Sequence, residues 1–305
     1  MLSYRSLKGK EHILQNFTGL KVKEFNKLLS SFSYAFETEL NEKESARKIK
    51  RIRKRGGGRK SSIQLIEDKL LFIMFYFRYY PTQEVQGYLF GMNQTQANYW
   101  IYFLTPLLNK ALGYEAKLPA RKPSDIKKIL NECQSLEFII DGTERPIQRP
   151  KDRERQKKYY SGKKKRHAVK NTLITGVISK NILVLSKTCE GKKHDKIDAE
   201  EQNYEFPPGS LLWKDTGYQG FEPNGAIGIQ PKKKPKGGEL NFREKERNKR
   251  ISKKRIFIEH SIGGVKTYKI THDIYRNHKE DYDDLVMETA CGLYNFRIDI
   301  RRKVA

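Results

Sequence analysis

The stretches SLEFIIDG, residues 135–142, and SLLWKDTGY, residues 210–218, decide the fold. Each is a short apolar run that ends in an acid, Asp141 in the first and Asp215 in the second. Runs of this length and composition predict buried strands. We therefore expect each aspartate at, or just past, the carboxyl end of a strand.

From about Ser124 to the end, the chain alternates between strand and helix patterns. KNTLITGVIS and NILVLSKTCEG, separated near Lys180 and Asn181, predict a hairpin, and IGIQP predicts a further strand. HDKIDAEEQNYEF, the charged stretch 239–268 and YDDLVMETACGLYNFRIDIRRK predict helices. This order is that of an RNase H-like α/β domain, a mixed sheet flanked by helices. In it the first and fourth strands are neighbours, which brings Asp141 and Asp215 together.

Two adjacent carboxylates repel each other unless a cation lies between them. Divalent ions such as Mg²⁺ are held by one or two carboxylates plus phosphate oxygens, and a pair of ions suits phosphodiester chemistry. Asp215 alone, followed by Thr216 and Gly217, is equally a turn residue, so the pairing carries the hypothesis. Glu259, flanked by Ile256, Ile258 and Ile262, is the candidate third acid; Lys266, about two helical turns later, could hold a DNA phosphate.

The region from Ile63 to about Gly113 predicts three helices. The first ends before Pro81, the second begins after the capping residue Thr82, and the third follows a turn at Gly91 and Asn93. This is a helix-turn-helix pattern, although any three-helix bundle could produce it. The polar residues that begin the third helix could read base edges in the major groove: Gln94, Thr95, Gln96 and Asn98.

The first 55 or so residues predict short amphipathic helices, such as one over residues 22–36. They end in RKIKRIRKRGGGRKSS, residues 47–62, where Arg55, Arg59 and Lys60 flank three glycines. A glycine-rich basic arm can enter a minor groove, and an ordinary basic linker fits equally well. The predicted divisions are residues 1–62, a DNA-binding domain at 63–123 and a catalytic domain at 124–305.

Positive charge is abundant and clustered. The chain carries 62 Lys and Arg against 36 Asp and Glu, a net charge of +26, and 34 of those cations fall within residues 41–60, 145–170 and 232–255. Such runs neutralise phosphates, whereas a merely solvated surface mixes both signs. Nucleic acid is therefore the expected partner, ahead of a membrane surface.

The three cysteines, Cys133, Cys189 and Cys291, are far apart, and this spacing predicts neither a disulfide framework nor a zinc site. The N-terminus has no apolar signal-peptide core, and no apolar run is long enough to span a membrane. We expect a reduced, cytoplasmic protein.

The block DGTERPIQRPKDRERQKKYYSGKKKRHAVKN, residues 141–171, carries a resemblance. With the helix-turn-helix pattern and most of residues 138–269, the chain resembles bacterial insertion-sequence transposases of the DDE superfamily, in the insertion-sequence-five family related to Harbinger elements. The resemblance implies that Asp141, Asp215 and Glu259 are the metal-binding catalytic triad and that Lys266 accompanies it. His194 and Asp195 match a His-Asp pair of that family, with a structural role as plausible as a functional one. Gly264 departs from the family pattern, where a basic residue is frequent.

The resemblance also implies a reaction. With two Mg²⁺ or Mn²⁺ ions, such an enzyme binds the terminal inverted repeats of its element, hydrolyses the strand at the element end and joins the 3′-hydroxyl to target DNA. Joining two ends requires at least a dimer on double-stranded DNA. A metal-dependent nuclease of the same fold and a DNA-binding regulator without catalysis are the alternatives.

Residues of the signature could bind DNA directly. Tyr159 and Tyr160 could stack on bases, although packing in a core is the simpler expectation for tyrosines. The four cations that follow could clamp phosphates: Lys163, Lys164, Lys165 and Arg166.

Overall fold

The computed structural model describes residues 1–47, 60–133 and 135–302. Its α-helices are α1 (Glu11–Thr18), α2 (Val22–Ser45), α3 (Ile66–Tyr79), α4 (Gln83–Phe90), α5 (Gln94–Tyr114), α6 (Pro123–Asn131), α7 (Arg153–Tyr159), α8 (Asp195–Gln202), α9 (Phe242–Lys266) and α10 (Tyr282–Arg302). Its strands are β1 (Glu137–Pro146), β2 (Tyr160–Ser161), β3 (Arg166–Gly176), β4 (Ile182–Leu185), β5 (Cys189–Glu190), β6 (Glu205–Trp213) and β7 (Asn224–Ile229). No helix within the described ranges is long and apolar enough to cross a membrane.

The chain divides into two compact units. The helical unit comprises residues 1–118, 267–270 and 285–305, and the sheet unit comprises residues 119–266 and 271–284. This division differs from the predicted one in two respects. Residues 1–47 lie in the same unit as α3, α4 and α5, and α2 packs against α3 and α5. The chain from Leu285, most of α10, falls in the helical unit and not in the catalytic domain.

The predicted helix-turn-helix is confirmed in α3, α4 and α5. The chain leaves α3 at Tyr80, which has a left-handed backbone (φ 47°), and Pro81 prevents the helix from continuing. The Thr82 hydroxyl accepts a hydrogen bond from the Val85 amide and starts α4. The following turn requires glycine at position 87, because a Cβ there would lie 2.6 Å from the Met92 carbonyl oxygen.

The rest of the helical unit is built around two long helices. α2 is longer than the predicted segment and buries Phe25, Leu28 and Phe32. α10 approaches α5 closely: a Cβ at Gly292 would lie 3.2 Å from the side chain of Leu112 in α5. At the far end of α10, Arg301 pairs with the buried carboxylate of Glu24 at 2.6 Å.

The sheet unit has the predicted strand order. β1 is central; it pairs antiparallel with β3 and parallel with β6, and β7 continues the sheet beyond β6 in parallel. β3 also pairs with β2, β4 and β5 on its other side. These pairings confirm the RNase H-like arrangement and the expected neighbourhood of the first and fourth predicted strands.

The two faces of the sheet are covered differently. Phe138 and Ile140 of β1 join a buried cluster that includes Ile126 of α6 and Ala199 of α8. Side chains alternate across a strand, so Ile139 and Asp141 point to the opposite face, where α9 contacts β1 and β6. Asp141 therefore faces α9.

β1 is longer than expected, which changes the setting of Asp141. The strand continues five residues beyond Asp141 to Pro146, paired with β3 throughout. Arg145 anchors this extension: it is fully buried and donates to the Asp283 carbonyl (3.0 Å) and the Asn171 amide oxygen (3.2 Å). Asp141 thus lies within a strand and not at its end, and Arg145, counted above in a basic run, is not available to DNA.

The Glu24–Arg301 pair makes a stability prediction for the helical unit. Arg301→Met leaves a buried carboxylate without its charged partner, and we expect a loss of roughly 2–4 kcal/mol. Arg302→Met, on an exposed neighbour, is the matched control and should change stability by less than about 0.5 kcal/mol. Urea unfolding checks both; equal stability of the two variants would contradict the assigned pair.

Candidate active site

Asp141 lies within β1, and Asp215 lies two residues past the end of the neighbouring parallel strand β6. Ile139 of β1 is in register with Trp213 of β6, so the two aspartates come two residues later on each chain segment. The Asp141 carboxylate accepts a hydrogen bond from the Gly142 amide (2.8 Å). That of Asp215 accepts from Gly217 N (3.0 Å) and the Thr216 hydroxyl (2.8 Å). These bonds fix both carboxylates on the α9 side; we call Asp141 and Asp215 the acidic pair.

A single guanidinium group contacts both members of the acidic pair. Nη2 of Arg255, on α9, lies 3.7 Å from Asp141 Oδ2 and 3.4 Å from Asp215 Oδ2. The Arg255 side chain is only 14% exposed. Sequence reasoning did not single out Arg255, since it is one of twelve cations in its basic run.

The surroundings push the two pKa values apart. Burial raises the pKa of Asp141 to about 6, with the negative charges of Asp215 and Asp195 adding to the effect and Arg255 opposing it. Burial also disfavours ionisation of Asp215, but hydrogen bonds from Gly217 and Thr216, with the Arg255 charge, bring its pKa below the usual range. Asp215 is thus the permanent anion and Asp141 the more easily protonated member.

Glu259 is exposed on α9. It lies four residues after Arg255 and seven before Lys266, and at 100° per residue all three fall on one stripe of the helix. The sequence predicted that the isoleucines around Glu259 form a buried face. Ile258 and Ile262 are buried, but Ile256 is 42% exposed. In the described ranges no three His, Cys, Asp or Glu side chains are close enough to hold a metal ion. The third acid therefore stays a prediction, supported by the stripe.

Lys266 lies beside the acidic pair. α9 runs without interruption through Gly263 and Gly264 to Lys266, so these glycines do not break the helix. Burial lowers the pKa of Lys266, the cations Lys164 and Arg166 lower it further, and Asp141 partly offsets this.

The basic loop, Lys163 to Arg166, adjoins the same site. All four side chains are exposed, and Lys165 adopts a left-handed turn conformation (φ 51°). Lys163 is close enough to help lower the pKa of Asp215. Tyr160 is 43% exposed and packs edge-on against His167, so it is not a core residue. Tyr159 is half-buried beneath Arg155.

His194 and Asp195 have different roles. His194 is the exposed N-cap of α8, and its Nδ1 accepts from the Lys196 amide, which is a structural task. Asp195 accepts from Lys170 Nζ at 3.0 Å. Its carboxylate also lies against the backbone beside both catalytic candidates: a Cβ at Gly142 or Gly217 would come within 3.2 Å or 3.1 Å of it. Asp195 thus belongs to the surroundings of the acidic pair.

The residues predicted to read DNA fall at the start of α5. Gln94 and Thr95 are exposed. Gln96 is exposed but accepts from the Asn93 amide in a capping box, and the Oδ1 of Asn98 is buried. Lys60 is exposed, whereas Arg55 and Arg59 lie outside the described residues. The surface therefore favours Gln94 and Thr95 as base contacts over Gln96 and Asn98.

The acidic pair fits a bound cation. Arg255 stands where a positive charge would bridge the two carboxylates, which shows that the space between them accommodates one. Paired carboxylates are ligands that hard divalent ions prefer. Asp141 and Asp215 would hold such an ion.

The raised pKa of Asp141 makes a prediction for the metal-free protein. The folded state binds this proton more tightly than the unfolded chain, so stability falls as pH rises from the usual 3.8 towards 6. Asp141→Asn removes that cost, and in EDTA at pH 8 we expect it to stabilise the protein by roughly 1–3 kcal/mol, with no gain near pH 4. Denaturant unfolding, with exposed Asp125→Asn as control, checks this; destabilisation at pH 8 would contradict it.

Two relatives match most of the chain. One, from Microchaete diplosiphon, carries the name of a transposase for insertion sequence element IS702; it is 28% identical over 82% of this chain and 86% of its own length. The other, from Streptomyces albus G, carries the name of a transposase for insertion sequence element IS112 and is 25% identical over 84% of each chain. No solved structure is a significant match.

Two family models match, in different parts of the chain. The model of the helix-turn-helix of DDE superfamily endonucleases matches residues 65–113, which hold α3, α4 and most of α5. The model of the DDE superfamily endonuclease matches residues 140–295, just over half of the chain, and spans both aspartates, Glu259 and Lys266. The chain belongs to the DDE superfamily of endonucleases.

Proposed function

We propose that this protein is the transposase of an insertion sequence, which binds the element's terminal inverted repeats, cuts the strand at the element end and joins the 3′-hydroxyl to target DNA. One observation carries the proposal: an acidic pair, formed by β1 and the segment just past β6, contacts Arg255, and Lys266 interacts electrostatically with Asp141. The relatives named as transposases along more than four-fifths of the chain support it.

The acidic pair and Glu259 would hold two divalent ions, Mg²⁺ or Mn²⁺. When bound, such ions activate the attacking oxygen and stabilise the leaving oxygen of an in-line phosphoryl transfer. The protein's own task is to hold the two carboxylates in place, and the hydrogen bonds from Gly142 to Asp141 and from Gly217 and Thr216 to Asp215 support this. Glu259 would reach the site from the α9 stripe once DNA is bound.

The cations around the acidic pair would position the DNA backbone. The basic loop offers four exposed ammonium and guanidinium groups beside Asp215 and Lys266. Charge-assisted contacts of this kind fix the register of the phosphates without reading sequence. The scissile phosphate would thereby be held in line with the acidic pair.

Sequence recognition is assigned to the helical unit. Gln94 and Thr95 at the amino end of α5 would meet base edges in the major groove, with the basic arm of Arg55, Arg59 and Lys60 in the adjacent minor groove. Joining two element ends to one target requires at least two copies of the chain on double-stranded DNA. The enzyme would act in the bacterial cytoplasm, at the nucleoid.

Asp215→Asn is expected to abolish cleavage of a labelled element end, a fall of at least about 1000-fold, because the permanent anion of the pair is lost while the DNA-binding surfaces stay intact. End binding in a gel-shift assay should change less than twofold. Asp125→Asn is the matched control. Cleavage that survives Asp215→Asn would remove the acidic pair from the mechanism.

Glu259→Gln tests the third acid separately. Gln keeps the size and helix propensity of the side chain, so we expect wild-type folding and DNA binding with cleavage reduced about 100-fold or more. Glu246→Gln, on the same helix in a surface ion pair with Lys249, should cleave like wild type. Equal activity of the two variants would show that Glu259 is an ordinary surface glutamate.

A further inference from the structure

The acidic pair already has a cation between its members. Arg255 reaches both carboxylates through one nitrogen, Nη2, at 3.4 Å and 3.7 Å. All three side chains are largely shielded: Arg255, Asp141 and Asp215 are 14%, 20% and 29% exposed. At such depth two like charges a few ångströms apart need a counter-charge, and Arg255 lowers the pKa of both.

The carboxylates contact Arg255 through one of its nitrogen atoms. Its Nε is buried and has no hydrogen-bond partner, so Nη2 is the atom through which the carboxylates hold the group. A guanidinium does not lose its proton at any physiological pH, and therefore it cannot leave by deprotonation. It can leave only by moving, and an unpaired Nε does not oppose that movement.

One guanidinium carries a single positive charge against two carboxylates. A divalent ion neutralises the pair fully, and it can use the carboxylate oxygens that Nη2 contacts, so the two cations exclude each other at this place.

We propose that Arg255 is an internal counter-ion that holds the acidic pair together before metal binds, and that it gives up this place to a divalent ion. This inference rests on the metal site of the proposed function. Arg255 would thus keep the two carboxylates close together without metal and compete with the ion for their oxygens.

The test measures Mn²⁺ binding to the full chain without DNA at pH 7.5. Electron paramagnetic resonance quantifies the free Mn²⁺, from which the dissociation constant is obtained. Arg255→Gln removes the competing charge, and we expect about tenfold tighter binding, the factor for one hydrogen-bonded charge pair that no longer has to be broken. Arg250→Gln removes the same charge from an exposed position of α9 and should stay within twofold of wild type. Unchanged or weaker binding by Arg255→Gln would overturn the proposal.

A second measurement uses the unaltered protein and does not depend on how the variant folds. Phenylglyoxal modification of arginine is followed by mass spectrometry of the peptides that contain Arg255 and Arg250. We expect Arg255 to react several-fold faster with Mg²⁺ than with EDTA, while Arg250 reacts equally with Mg²⁺ and EDTA. A rate at Arg255 that does not respond to Mg²⁺ would overturn the counter-ion role.

The counter-ion role and the proposed metal site fail separately. If the wild-type protein binds no Mn²⁺ at all, the proposed metal site is wrong. If the wild-type protein and Arg255→Gln bind Mn²⁺ equally well, the metal site stands and the counter-ion role of Arg255 is wrong.

Discussion

The carboxylates of Asp141 and Asp215 are held side by side by the parallel pairing of β1 and β6, and their mutual repulsion has to be balanced by positive charge. The rest of the sheet unit can be understood from this constraint. α9 supplies Arg255 and Lys266, and the basic loop supplies Lys163 and its neighbours. A site that concentrates cations around two fixed anions is suited to a substrate that is itself a polyanion and to metal ions that bridge the two.

Rigidity of the acidic pair comes from residues that carry no chemistry themselves. Arg145, fully buried, anchors the part of β1 that lies beyond Asp141, so this aspartate is fixed from both directions along the strand. Asp195, neutralised by Lys170, packs against Gly142 and Gly217, the backbone next to each carboxylate. A side chain at either glycine would press against the Asp195 carboxylate, which would have to shift by a few tenths of an ångström.

The sequence was sufficient for the arrangement of strands and for the acidic pair, because alternation of apolar residues and the order of elements determine which strands are neighbours. The helix-turn-helix followed from Pro81, Thr82 and the glycine turn for the same local reasons. The ends of helices and strands were harder to predict from the sequence. β1 continues past Asp141 because Arg145 donates hydrogen bonds to Asn171 and Asp283, which lie 26 and 138 residues away along the chain.

Tertiary contacts also decided which charges matter. Arg145, Lys170 and Arg255 looked like members of solvated basic runs, yet each is largely buried against polar or acidic groups of other elements. No local pattern distinguishes such a cation from its exposed neighbours. The placement of α10 also depends on a tertiary contact. Arg301 of α10 pairs with Glu24 of α2, and both residues lie in the helical unit although they are far apart in the sequence.

The central claim is that this site joins DNA as well as cutting it. The most direct measurement offers the wild-type protein a pre-cut, labelled element end and a supercoiled target plasmid in Mn²⁺. The account predicts covalently joined products that depend on the free 3′-hydroxyl and disappear when the end is blocked. Cleavage of DNA without joined products from the pre-cut end would contradict it and leave a nuclease.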